Sequence, residues 1–236
     1  VYPAGDPAIA GAVRELRVLA LTHDDGDHTG GSAAVRRGMH VRAVVAPAPR
    51  PGVPGPCARF GAQPIGRGDT LARSPRAIVL WPPRPGELDE VIARRGDNAA
   101  ALVLEVGEGQ TRALLTADAD SVVEAVLVVA PRPAVLKAGH HGSGSSSGAA
   151  FTAALAPEHV AISVGAHNPY GHPHPVAMAH LLASGACIDR TDRDGALWYE
   201  LGAGGVRRLD WRHGEPWRER IDRGPACGGA TAARAR

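Results

Sequence analysis

The chain has 236 residues, of which 44% are hydrophobic and 21% charged, with a formal net charge of +2. A chain of that length buries roughly 70% of its unfolded surface, and this composition excludes a largely disordered polymer. No run approaches the roughly 20 apolar residues of a membrane span, and so mild a charge neither requires nor excludes a nucleic-acid partner.

Taken in order, residues 8–16 read as a helix with Asp6 at the N-cap and Pro7 at its first position. Residues 17–21 (R-V-L-A-L) read as a strand, 31–39 as a helix and 41–45 as a strand. The Pro-rich stretch 46–56 reads as loop. A strand over 77–81 stops at Pro82-Pro83, and apolar runs at 101–106 and 112–116 around Gly107 to Gln110 form a hairpin. Strands follow at 134–138 and 159–164, then a helix over 176–184 between Pro175 and Gly185. Runs at 187–190 and 196–201 read as two strands joined by a turn through Asp194-Gly195. Beyond Gly224 the sequence is Gly, Ala and Arg, so the expected organisation is one domain over 1–223 and a disordered tail over 224–236. Strands alternating with helices, with hairpins mixed in, argue for a layered α/β domain. Cys57, Cys187 and Cys227 form no CxxC pair and are read as free thiols or small hydrophobes. The chain opens at Val1 with no signal peptide in view, as a fragment or a processed product would.

The polar clusters fall at strand ends, where α/β folds place their sites. Thr22-His23-Asp24-Asp25-Gly26-Asp27-His28 offers four donors (His23, Asp25, Asp27, His28) in six residues. Imidazole and carboxylate together suit one divalent metal or two; the alternative is an acidic turn capping the next helix. Leu136-Lys137-Ala138-Gly139-His140-His141-Gly142-Ser143 carries paired histidines and the chain's only lysine. Its bland counterpart is a flexible Gly/Ser linker over 142–148. Asp118, at the end of Leu114-Leu115-Thr116-Ala117, can bridge two cations or cap a helix. Asn168-Pro169-Tyr170-Gly171-His172-Pro173-His174-Pro175 is weak alone. One metal centre would use all four segments, so each gains from the others.

These blocks resemble the metallo-β-lactamase superfamily, with its H-x-H-x-D-H after a strand, a bridging Asp and a distal His. More closely, they resemble the hydrolase domain of the ComEC competence family. The matching features are T-H-x-D-x-D-H, L-L-T-x-D, L-K-x-G-H-H-G-S and S-V-G-x-x-N-x-Y-G-H-P-H-P, and Thr191 to Gly195 fits that family's late hairpin. The match spans residues 15 to 200. The resemblance implies an αββα sandwich, truncated at its N-terminus because the family's opening strands are missing. It implies a metal set of His23, Asp25, Asp27, His28, Asp118 and His172, with His140 or His141 in the place of the superfamily's intermediate histidine. Ala117 stands where the family has Gly, and Ala101 where it has Ser.

The implied activity is metal-dependent hydrolysis: a phosphodiesterase or nuclease acting on DNA, single-stranded or one strand of a duplex, during competence-linked uptake. Asp27 and His141 are the expected catalytic groups, and Lys137, Ser143 and Asn168 the expected substrate contacts. Two divalent ions are expected, Mn²⁺ or Zn²⁺ with Mg²⁺ as an alternative because Asp25 in place of a histidine hardens the site, and no small organic cofactor is expected. The family places such a soluble domain in a bacterial cytoplasmic-membrane protein, on the extracytoplasmic side and beside its channel portion. Arg207, Arg208, Arg212, Arg218, Arg220 and Arg223, interleaved with Trp211 and Trp217, fit single-strand binding or a plain solvated end. The rivals are a hydrolase of the same fold acting on a lactone, β-lactam or thioester, and a non-catalytic DNA-binding or structural remnant.

Overall fold

Short β-branched runs separated by Gly and Pro make short strands, and the computed structural model has twelve among the residues it describes, 14–49, 55–84, 96–109, 111–127, 129 and 131–209. Strand β1 (Glu15–Ala20) leads through the one-turn helix α1 (Gly26–Thr29) to α2 (Ser32–Gly38). β2 (His40–Pro47), α3 (Gly55–Phe60) and β3 (Gln63–Ile65) follow, and β1, β2 and β3 pair in parallel in that order. β4 (Thr70–Arg73), β5 (Arg76–Trp81), β6 (Val103–Glu108) and β7 (Thr111–Leu115) form an antiparallel meander. α4 (Ser121–Val126), β8 (Val135–Lys137), α5 (Ala149–Leu155), β9 (His159–Ile162), α6 (Pro175–Ala183) and β10 (Cys187–Arg190) then add parallel strands. The resulting seven-stranded sheet runs β10-β9-β8-β7-β6-β5-β4. After α7 (Thr191–Asp194), β11 (Trp198–Gly202) and β12 (Gly205–Leu209) form a separate ribbon.

Three apolar clusters stack these elements as helix, sheet, sheet, helix. Leu21, Ala46 and Ala62 pack with Cys57 and Phe60 under α3. Val79, Leu102 and Leu104 of the large sheet meet Ala20 and Ile65 of the small one. Val123, Leu155 and Leu181 of the helices close on Leu136, Val160 and Ile162. Each fully buried aliphatic side chain contributes about 1.5–3 kcal/mol. The αββα order expected from the sequence is therefore present, with His/Asp-bearing segments following β1 and β7.

Three expectations change. Residues 187–190 and 196–201 do not pair with each other. β10 pairs in parallel with β9, while β11 pairs with β12, because the α7 turn intervenes, held by the Arg190 N–H donating to Asp194 Oδ2 at 2.8 Å. The 46–56 stretch is not all loop, since β2 runs to Pro47 and α3 starts at Gly55. Cys187 is disulfide-bonded and only Cys57 is free among the described residues, a pairing that spacing could not show. Residues 15 and 16, expected at the end of the first helix, instead open β1, while residues 8–13 of that helix, the tail over 224–236, and Arg212, Arg218, Arg220, Arg223, Trp211 and Trp217 lie outside the described residues.

The ribbon is fastened to the large sheet through Asp189, a buried carboxylate on β10. It accepts from Tyr199 Oη at 2.6 Å, pairs with Arg208 at 3.0 Å and meets His159 Nδ1 at 3.0 Å. Burial opposes the charge, but His159, Tyr199 and Arg208 outweigh it and hold the carboxyl below its ordinary value. A depressed carboxyl stabilises the fold above its unfolded value near 4 and loses that contribution as pH falls through its folded value. Asp189→Asn is therefore expected to lower unfolding free energy by roughly 3 kcal/mol at pH 7, with the gap to the parent narrowing below pH 4. Urea unfolding at both pH values measures it.

Candidate metal centre

The first donor loop is built by backbone closure at the end of β1. The Leu21 N–H donates to Val45 O at 2.9 Å, and the Leu102 N–H to Thr22 O at 2.9 Å, so the chain is gripped between the two sheets as it leaves the strand. The N–H groups of His28 and Thr29 then both donate to Asp25 O, and the Thr29 hydroxyl joins them at 3.0 Å. That single turn folds His23 and His28 onto each other, ring centroids 4.1 Å apart. The Thr22 hydroxyl lies 2.9 Å from His28 Nδ1 and 3.1 Å from His23 Nδ1, and its oxygen, accepting from the Nδ1–H of a ring, leaves that ring's Nε2 lone pair for the site. Both Nε2 atoms are left facing inward. Asp24, the one carboxylate of the motif not expected in the site, instead pairs with Arg59 at 3.1 Å.

Asp118 follows β7 through a backbone reversal. Thr116 Oγ1 donates to Lys137 O at 2.7 Å, and Ala117 then adopts φ +46°. The helix cap that Asp118 could have provided is made by Asp120, whose side chain accepts from the Val122 and Val123 N–H groups. Asp118 is thereby free to enter the site, where it is 2% exposed. The left-handed backbone at Ala117 accounts for glycine at this position in the resembled family, since a Cβ there costs about 1 kcal/mol. Ala117→Gly is expected to stabilise the protein by about 0.5–1 kcal/mol, part of the gain being offset by a freer unfolded chain. A rise in the urea midpoint at unchanged slope checks it.

The third segment is no flexible linker. His140 and His141 lie in left-handed backbone, with φ +44° and +55°, and Gly142 follows at φ +81°. A Cβ on Gly142 would stand 2.7 Å from Pro173 Cβ, so only glycine lets this loop approach the His172 segment so closely. His141 Nδ1 donates to Ser163 O at 2.7 Å, which fixes its hydrogen on Nδ1 and leaves the Nε2 lone pair for the site.

All these groups converge on Asp118. Its carboxylate oxygens lie 3.2 Å from His28 Nε2, 3.6 Å from Lys137 Nζ, 3.7 Å from the Nε2 atoms of both His140 and His141, and 3.9 Å from His23 Nε2. Asp25 Oδ2 is 3.3 Å from His23 Nε2, and Asp27 Oδ2 is 3.1 Å from His141 Nε2. Two sets of donor atoms lie within 4.8 Å of one another, His23 with His28 and Asp118, and Asp27 with His28 and His141. His28 belongs to both. Both paired histidines, not one, reach the cluster. His172 stands beside it, its ring 5.8 Å from that of His140.

The electrostatics fit a cation. Burial pushes the Asp118 carboxyl up, but the His28, Lys137 and His141 groups around it prevail and hold it far below the carboxylate range. His23 is lowered by burial and by His28 against the pull of Asp118, Asp25 and Asp27, which favours the neutral ring a metal needs. His172 is lowered likewise, by burial and by His140 and His141. Among the described residues, the buried atoms His23 Nε2, Asp118 Oδ1 and His172 Nδ1 make no well-directed hydrogen bond, although ionisable groups stand against the first two, and Ser32 Oγ and Arg112 Nε share that state away from the site. Buried polar atoms are otherwise paired at the level of nine in ten. Converging donors of imidazole and carboxylate type are what one or two divalent cations would satisfy.

The remaining expected residues divide. Lys137 donates to Ala117 O at 2.5 Å and lines an open groove of about 1440 Å³ that runs from the cluster beneath the β11 strand. Asn168 also lines the groove, but its amide is engaged in its own loop, donating to Gly165 O and His172 O while its Oδ1 accepts from the His172 N–H. Ser143 bonds to Ser145. Arg207 pairs with Glu200 on the exposed face of the ribbon, and Arg208 is engaged with the buried Asp189 and with Asp194. Sequence reasoning missed the Thr22 hydroxyl, the Ser163 carbonyl and Tyr170. Tyr170 is 77% exposed at the groove, its ring stacked on His172 at 5.9 Å.

No protein-family model matches the chain. It is 33% identical over 207 residues to "Competence protein ComA" of Neisseria gonorrhoeae, covering 84% of this chain and 27% of that protein. It is 31% identical over 202 residues to "ComE operon protein 3" of Bacillus subtilis, covering 80% and 25%. The chain thus spans about a quarter of the length of these curated relatives. Among solved structures it is similar to a mutant of CmlA beta-hydroxylase, with a TM-score of 0.53 and 15% identity over 80% of this chain and 46% of that one. That likeness speaks for the fold, a metallo-β-lactamase-like αββα sandwich.

Proposed function

With the chain related by sequence to the ComEC competence family, we propose that it is a metal-dependent phosphodiesterase acting on DNA, on a single strand or on one strand of a duplex, during DNA uptake. The observation that carries this reading is the convergence of His23, His28, His140 and His141 on the buried Asp118, with Asp25 against His23 and Asp27 against His141, beside the chain's only lysine. Asp27, His28 and His141 would hold one divalent ion and His23 and Asp118 a second, since His28 has a single Nε2 lone pair facing the site, with Asp25, His140 and His172 adjoining. When bound, such ions supply Lewis-acid activation of water and stabilise charge on a developing phosphorane. Mn²⁺ and Zn²⁺ both suit this mixture of carboxylate and imidazole, with Mg²⁺ a weaker match to the histidines.

The chain's own groups do the rest. Asp27 is exposed at the mouth and orients the attacking water, accepting its proton at Oδ2, next to His141 Nε2. The Ser163 carbonyl keeps His141 in one tautomer. Lys137 presents its ammonium to a phosphate oxygen from the groove side, with Asp118 beside it to hold the charge in place. Tyr170 offers a free ring face at which a base can stack. Asn168 shapes the His172 loop, and Ser143 closes the turn after the histidines.

Among the described residues no helix is long and apolar enough to cross a membrane. The match covers about a quarter of the relatives' length, and the reading places this domain beside their channel portion, outside the cytoplasmic membrane. The disulfide at Cys187 supports that side, since disulfides persist in oxidising compartments. As an organisation, one domain ending near residue 223 with a tail over 224–236 fits the same reading.

A second reading has one observation in its favour. The groove wall is largely apolar beyond Lys137, with Ala113, Leu115, Val135, Leu197 and Leu201, which suits an uncharged lactone or thioester. Rates on bis(p-nitrophenyl) phosphate, linear DNA, a lactone and a thioester, each with Mn²⁺, decide between them. The phosphodiesterase reading expects turnover of the first two only; turnover of the neutral pair alone would replace it.

A further inference from the structure

We propose that Glu124 is a positioning residue for the paired histidines: its carboxylate clamps the Ser147–Gly148 segment and so holds His140 and His141 on Asp118. Glu124 is a 4% exposed acid on α4 that the hydrolytic reading leaves unused. It does not cap its helix, since Asp120 does. Oε1 accepts from the Ser147 N–H at 2.6 Å and Oε2 from the Gly148 N–H at 2.8 Å. From the other side, His180 Nδ1 on α6 donates to Ser147 O at 3.0 Å. The Ser147–Gly148 peptide is therefore gripped at its N–H by one helix and at its carbonyl by another.

The loop needs such a grip. His140, His141, Gly142 and Ser147 all have positive φ, and each non-glycine residue there costs about 1 kcal/mol or more. Three neutral bonds also tie the loop to the segment carrying Asp118: the His140 N–H to Ala117 O, Ser146 Oγ to Ala119 O, and the Ser121 N–H to Ser145 O. Glu124 adds the charge-assisted pair, about twice as strong per bond. The fit is close: a Cβ on Gly139 would stand 2.8 Å from Ala119 O, and one on Gly148 3.3 Å from Glu124 Oε2. An apolar residue at 124 would spare the cost of burying an acid. A glutamine would satisfy one N–H and turn its own NH₂ toward the other.

The test uses the full chain with Glu124→Gln, and His180→Phe, which opens the clamp from its far side. Histidine-ring ¹⁵N spectra of the metal-free protein are recorded first. The proposal expects the Nδ1–H signal of His141 to average toward a two-tautomer value in Glu124→Gln, with His159 unchanged, and a smaller shift of the same kind in His180→Phe. In Mn²⁺ titrations followed by EPR, which rest on the metal-centre reading, the variant should bind the ion at Asp27, His28 and His141 at least tenfold more weakly. Spectra and titrations matching the parent, with only the melting temperature lowered, would overturn the proposal and leave Glu124 a structural acid. If Glu124→Gln does not fold, unchanged His140 and His141 signals in His180→Phe overturn it equally. A parent that binds no Mn²⁺, with His141 still shifted in the variants, would sink the metal reading and leave the clamp standing.

Discussion

Asp118→Asn is expected to lower metal-dependent hydrolysis by at least about a thousandfold, a loss of roughly 4 kcal/mol of transition-state stabilisation. The change keeps the shape of the side chain and removes only its charge. Four imidazoles and one ammonium lie within 3.9 Å of that carboxylate, and no other buried acid faces them among the described residues. Without it, the candidate sites lose their common anion, and the buried Lys137 ammonium loses its counter-charge. Metal content by elemental analysis should fall together with the rate. Circular dichroism should stay native, because β7, β8 and the α4 cap at Asp120 do not depend on the carboxylate. A variant within tenfold of the parent would mean that the convergence on Asp118 is an ordinary buried polar network.

Lys137→Met is expected to lower kcat/KM on DNA about a hundredfold while metal content stays at the parent value. The ammonium is mostly desolvated between Ala117 O and Asp118, and burial lowers its pKa despite the pull of Asp118 and Asp27. A charge in such a place acts on an anionic substrate more strongly than one in water. Lys137→Arg should not restore the rate, because a planar guanidinium cannot take the seat of a compact ammonium 2.5 Å from a carbonyl. Hydrolysis of a neutral ester measured alongside separates two roles. A loss confined to phosphodiesters places the charge on the substrate; an equal loss on both means that Lys137 serves Asp118 alone.

Much of this site was legible because its chemistry sits in contiguous blocks. His23, Asp25, Asp27 and His28 fall within one turn after a strand, and a single turn must bring them together. The His140-His141 pair and Asp118 could be named, but not their relation, since β7 and β8 become neighbours only through parallel pairing across the intervening residues 116–134. Which paired histidine faces inward was unreadable, because two consecutive left-handed residues turn both rings the same way. Glu124 gave no signal at all: its helix is six residues long, and its partners are backbone N–H groups that any sequence possesses. The ribbon was misjudged for a similar reason. A strand, a turn and a strand look alike whether they pair together or with third parties, and the Asp189 contacts that decide it are 10 and 19 residues apart in sequence. The disulfide at Cys187 was hidden because spacing between distant cysteines carries no pairing information.

The central claim is tested most directly by cleavage of linear single- and double-stranded DNA with added Mn²⁺, Mg²⁺ or Zn²⁺, comparing the parent with an Asp27→Ala, His28→Ala double variant. These residues supply two of the three donors of one candidate cluster, and His28 is shared with the other. The account predicts metal-dependent cleavage by the parent, abolished in the variant while its fold is kept. Cleavage by the variant at the parent's rate, or none by a parent that binds metal, would contradict it.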